Sequence, residues 1–255
     1  VKPHTDFKGE IESGLCKMLA IGLGNQKGCT SLHERGIGNF NHIIPEVASF
    51  IISHTNVGFG VAIVEDSYNH IAIINTILSD NIISEEKKLL EISKKMMPKI
   101  MIPEIDVLIV ENFGKNISGA GMDPNVTGRT SVESSEGFKG PKIKRIVVLN
   151  LTDESHGNAC GISCADFITK QFFDKINFQA TYKNSIACYN PRSAQIPIVA
   201  DDEETAIAMA ISSCQNVTVK TAKIVRIKDT LSLGEIYISE SLISTVKKND
   251  RIIII

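Results

Sequence analysis

Apolar positions along the chain fall into two alternating patterns. Short, β-branched and largely apolar runs at 57–64, 106–111, 144–151, 196–199 and 222–227 have the length and composition of buried strands. Between them, residues 11–21, 41–54, 84–97, 160–175 and 201–213 carry helical patterns. The stretch from Ser84 puts Lys87, Lys88, Lys94 and Lys95 on one wet side. Lys87 stands where a capping box wants a glutamate, so Ser84 supplies half of one. Strands alternating with helices predict an α/β fold with mainly parallel sheets flanked by helices. Pro98 and Pro103 end the third helical stretch, which places a boundary there and predicts two domains, 1–99 and 100–255.

Composition narrows the function classes. With 43% hydrophobic and 22% charged residues, the chain can build proper cores. A formal net charge of −2 gives no basic excess for nucleic acid or an anionic membrane, and the apolar runs are too short to span a bilayer. The six cysteines form no CxxC pair, and no signal segment opens the chain. Reduced thiols and a cytoplasmic location are expected. The chain begins at Val1, without an initiator Met and already inside a motif-like segment, so a preceding portion is expected to be missing.

Polar chemistry concentrates near the start, in His4, Asp6, Lys8, Glu10, Glu12 and Lys17. A loop histidine beside an aspartate, as at His4 and Asp6, can serve as a general base near neutral pH; the alternative is an ordinary charged turn. Lys17 interrupts the apolar stretch Leu15-Cys-Lys-Met-Leu-Ala-Ile. A desolvated lysine there is a nucleophile with a lowered pKa, whereas a snorkelling one is merely structural. Gly22-Leu-Gly24-Asn-Gln-Lys-Gly28 has a GxGxxxG spacing, one residue longer than the dinucleotide fingerprint, and still suits a mononucleotide phosphate. The histidines make no HxH, HExxH or Cys–His cluster, and Cys160 and Cys164, four apart, read as core thiols on a helix. Two later loops each follow an expected strand: Asp123, Asn125 and Arg129 in the first, His156 in the second. Such loops are where α/β proteins place ligands, although ordinary turns have the same composition.

The segments Lys2-Pro-His-Thr-Asp-Phe and Glu12-Ser-Gly-Leu-Cys-Lys-Met-Leu, followed by His33, resemble the cofactor-binding segment of the nickel-dependent lactate racemase family. The segments SGAGMDPNVTGR and SHGNACGISCADF resemble a subgroup of that family whose substrates vary or are undefined. The resemblance implies a racemase or epimerase of a small 2-hydroxy acid. It also implies a nickel-pincer nucleotide, a pyridinium-type mononucleotide, as cofactor. Lys17 would be its covalent anchor, His33 the nickel ligand and His4 one of two acid–base histidines. The other would precede Val1. Gly22 and Gly24 would help bind that cofactor. Two rival functions stand beside it: a cofactor-free binder of a small anionic metabolite, which keeps the fold without the chemistry, and a nucleotide-dependent oxidoreductase using the Gly22–Gly28 loop.

Overall fold

The computed structural model describes residues 1–3, 5–66, 68, 70–132 and 137–255. The chain divides into two compact units. The first comprises Val1–Met97, Val132–Phe138 and Ser185–Pro191; the second comprises Pro98–Ser131, Lys139–Asn184 and Arg192–Ile255.

In the first unit, α1 (Leu15–Lys17) runs into a π-turn, Met18–Gly22, and then α2 (Asn25–His33) and α3 (Phe40–His54) follow. An antiparallel hairpin of β1 (Phe59–Glu65) and β2 (Ile71–Leu78) precedes α4 (Ile82–Met96). Helix α3 buries Phe40, Ile44 and Ala48, spaced four apart, so one stripe faces the core. Phe7, Ile11, Cys16, Ala62, Val64 and Ile77 complete that core. The sheet here is antiparallel, unlike the parallel pairing expected from the sequence, because β2 follows β1 too closely for a crossover. One hairpin face packs inward through Ala62 and Val64, whereas Phe59, Val61, Ile63, Ile74 and Leu78 stay exposed on the other.

The second unit is built on a six-stranded, mostly parallel sheet. Its elements in chain order are β3 (Glu104–Phe113), α5 (Pro124–Thr127), β4 (Lys142–Leu151), β5 (Phe167–Thr169), α6 (Lys170–Asp174), α7 (Phe178–Ala187), β6 (Ile198–Ala200), α8 (Glu203–Ser212), β7 (Ile224–Ile227), β8 (Tyr237–Ile238) and α9 (Ile243–Val246). The strand order is β6-β5-β4-β3-β7-β8, and only β8 is antiparallel. Leu108, Val110, Ile146, Val148, Val225 and Ile227 pack on one face with Phe113 and Phe172. Val107, Ile109, Val147 and Leu149 pack on the other with Ala206, Ala210 and Ile211 of α8. Burial on both faces is why β3 and β4 read as continuous apolar runs.

The helical span expected at 160–175 is divided differently: a 3-10 turn at Ile162–Cys164, strand β5, then α6. Cys160 and Cys164 therefore share no helix face. Ser84 caps nothing either; the helix starts at Ile82, and the Ser84 hydroxyl donates to the Asn81 carbonyl at 3.1 Å. Among the described residues, no helix is long and apolar enough to cross a membrane.

Candidate functional site

The first unit gathers its chemistry around two consecutive helices. Lys17 ends α1, and Cys29 and His33 stand one turn apart on α2. Burial pushes the Lys17 amine below the usual lysine range, against the opposing pull of Asp6, Cys29 and Glu12. Glu12 is fully buried. It accepts from the Thr5 hydroxyl at 3.1 Å, and Lys8 and Lys94 each stand 3.4 Å from it. A buried carboxylate is tolerated only with such partners.

His33 is half-buried, its ring edge-on to Phe40 with centroids 5.1 Å apart. Its Nδ1 lies 2.8 Å from the Cys29 carbonyl oxygen and 3.4 Å from Cys29 Sγ. A carbonyl oxygen only accepts, so Nδ1 carries the hydrogen, and the neutral ring keeps its lone pair on Nε2. Metal-binding imidazoles are oriented in the same way, with the other ring nitrogen donating to a backbone carbonyl. Four-residue spacing on a helix brings Cys29 against His33. His4 lies outside the described residues.

The glycine segment is not a loop after a strand. Gly22 closes the π-turn, Gly24 is the N-cap residue of α2, and Gly28 lies within that helix. No side chain caps α2. Its first amides therefore point outward without an intrahelical acceptor.

Residues of the second unit separate into two places. At the carboxyl ends of the parallel strands, the loops after β3 and β4 are stitched together. The Thr152 N–H donates to the Phe113 carbonyl at 2.9 Å, and the Lys115 N–H donates to the Ser155 hydroxyl at 2.9 Å. His156 is exposed there, in a left-handed conformation with φ 49°. Asp123 is buried; its N–H donates to the Thr230 hydroxyl at 3.0 Å, and its Oδ1 accepts from Asn125 N and Nδ2 at 2.8 and 2.7 Å. Arg129 stands at the opposite end of β4. Its Nη1 meets Asp166 Oδ2 at 2.6 Å and the Cys164 carbonyl at 3.2 Å, and its Nη2 donates to the Ile143 and Lys144 carbonyls at 3.1 and 2.9 Å. Ten residues of strand, roughly 30 Å, separate those ends, so Arg129 and His156 do not form one site. The guanidinium is occupied inside the protein as a clamp between β4 and the start of β5. Arg129→Ala is expected to lower stability by about 2–4 kcal/mol in urea unfolding, since it removes hydrogen bonds to Asp166 and to the Ile143, Lys144 and Cys164 carbonyls together. Arg129→Lys should restore little of it, lacking the planar fork.

Two further residues of the first unit carry no local signal in the sequence. Glu12 was one charge among many. Glu86 is fully buried on α4 and accepts the Cys16 N–H at 2.8 Å. Among the described residues, no group of three or more His, Cys, Asp or Glu is arranged to hold a metal ion. Compared with known protein families, curated proteins and solved structures, the chain matches none.

Proposed function

We propose that the chain belongs to a racemase or epimerase of a small 2-hydroxy acid that uses a nickel-pincer nucleotide. The observations that carry the reading are a lysine amine lowered by burial at the end of α1 and, on α2, an imidazole whose Nδ1 is held by the Cys29 carbonyl, which leaves Nε2 for a metal. A free metal ion wants several protein donors, whereas a metal carried within an organic ligand wants only the remaining one, and His33 offers a single soft-tolerant imidazole. The donor set thus fits this group.

Lys17 would hold the cofactor covalently. Its amine loses its proton more readily than an exposed lysine, which is what a nucleophilic nitrogen needs. His33 would ligate nickel through Nε2, held in orientation by the Cys29 carbonyl. The uncapped start of α2 at Gly24 would receive the nucleotide phosphate, as helix N-termini do. When bound, the cofactor supplies a hydride acceptor at the substrate carbon. The protein then has to move the hydroxyl proton and exclude water. The resemblance gives the proton to His4.

Intact-mass and nickel analysis of the protein from its native host tests the reading. An adduct on the peptide bearing Lys17, with nickel in proportion, is expected, together with inversion of a 2-hydroxy acid followed by chiral chromatography. An unmodified mass without nickel overturns it. The helical setting of Gly22 and Gly24, with no strand before them among the described residues, disfavours the dinucleotide-dependent alternative.

The lysine environment itself has a pH consequence. Because burial lowers the folded-state value, the unfolded chain binds more protons in the window just below the ordinary lysine value of 10.5. This group's contribution to stability therefore rises as pH increases through that window. Urea titrations of the wild type and Lys17→Met should show the rise only in the wild type.

A further inference from the structure

We propose that Glu86 is the positioning residue of this site: reaching from α4, its side chain replaces the missing cap of α1 and fixes where the Lys17 amine stands. The inference deepens the reading above and rests on it for the role of Lys17. Helix α1 has three residues, far too few to hold a register alone. Its N-cap is Gly14, which has no side chain to satisfy the first amides. Glu86 Oε2 does so from elsewhere in the fold, accepting the Cys16 N–H at 2.8 Å across a sequence separation of 70.

Gly14 and Glu86 fit as one device. A Cβ on Gly14 would stand 2.7 Å from Glu86 Oε1, and the Gly14 φ of 153° is one that side-chain-bearing residues rarely adopt. Only glycine lets the carboxyl come this close. The arrangement also has a cost that stability does not explain. Glu86 is 0% exposed, and its Oε1 has no hydrogen-bond partner. An idle acceptor on a buried carboxyl is unfavourable, so a residue chosen for packing alone would be apolar. What the contact secures is register. Lys17 lies in the turn that begins at Gly14, where the Met18 N–H donates to the Gly14 carbonyl at 2.9 Å. Slipping α1 by one residue swings the Lys17 side chain by about 100°. Such a slip would carry it away from Asp6, Glu12 and Cys29, the groups that now act on its amine.

The test is competitive acetylation of the cofactor-free chain with acetic anhydride across the alkaline range, read peptide by peptide, with exposed Lys220 as internal reference. Wild-type Lys17 is expected to react at lower pH than Lys220. Glu86→Ala should move its profile towards that of Lys220 by about one unit, tenfold in free amine. Glu86→Gln, which keeps a carbonyl facing the Cys16 N–H, should retain the wild-type profile. An unchanged Lys17 profile in Glu86→Ala overturns the proposal. So does a Glu86→Gln profile as displaced as the alanine one, which would assign the effect to charge rather than reach. Should Glu86→Ala fail to fold, Gly14→Ala breaks the same contact from the other side and must show the same displacement. Because no cofactor is present, a missing adduct in native protein would sink the functional reading and leave this result standing.

Discussion

Lys17→Ala is expected to abolish covalent loading outright, leaving protein of unmodified mass even when His33 is intact. The anchor needs a nitrogen nucleophile on a short tether, and no neighbour replaces it. Lys8 and Lys94 lie against the carboxylate of buried Glu12, whereas burial lowers the amine of Lys17. Lys17→Arg should fail equally, because a guanidinium is not deprotonated in proteins. His33→Ala separates the two jobs. The organic adduct should persist on Lys17, while nickel falls to background in metal analysis of the same sample. A His33→Ala protein that keeps full nickel would remove His33 from the site.

The largest expected loss of stability comes from a single methyl group in the second unit. Gly121 has φ 81°, and a Cβ there would stand 1.9 Å from the Phe113 ring. That ring cannot retreat: Phe113 is fully buried and packs edge-on to Phe172 at a centroid distance of 5.7 Å. Left-handed backbone costs a residue with a Cβ about 1–2 kcal/mol, and overpacking a filled core adds roughly 1–3 kcal/mol. Gly121→Ala should therefore lose about 2–5 kcal/mol, a large share of the roughly 5–15 kcal/mol of an ordinary domain. Gly28→Ala is the matched control. It meets nothing within 4 Å and lies inside α2, where alanine is the better helix former by about 1 kcal/mol. Urea midpoints should move in opposite directions for the two variants. Equal midpoints would contradict the packing of Phe113.

The elements legible in the sequence are those whose burial is continuous. Strands β3 and β4 carry unbroken apolar runs, Val107–Val110 and Ile146–Leu149, because both faces are covered there, and α3 and α4 carry single stripes. Strand β5 was hidden because its three residues, Phe167–Thr169, sit inside a longer stretch that reads as helical. Helix α2 was hidden for the opposite reason. It buries only Leu32, and its opening Asn25-Gln-Lys-Gly28 reads as a loop. Missing that helix concealed the Cys29–His33 pair, whose spacing has meaning only at 3.6 residues per turn. Lys17 was visible as a charge in an apolar run. Glu86 was not, since its role depends on a partner 70 residues away.

The hairpin of the first unit bears on how the protein behaves in bulk solution. Phe59 faces Leu78, Val61 faces Thr76 and Ile63 faces Ile74, so the outward side of the ribbon is a nearly uncharged strip of oil. Each square ångström of it hidden from water gains roughly 25 cal/mol, and both strands of a two-stranded ribbon present open hydrogen-bonding edges. Crowding molecules together is thus rewarded. Light scattering should climb with protein concentration and with added sulfate, which strengthens apolar burial. Ile74→Lys puts a charge in the middle of the strip while leaving Ala62 and Val64 inside, and it should return the scattering to that of well-separated particles.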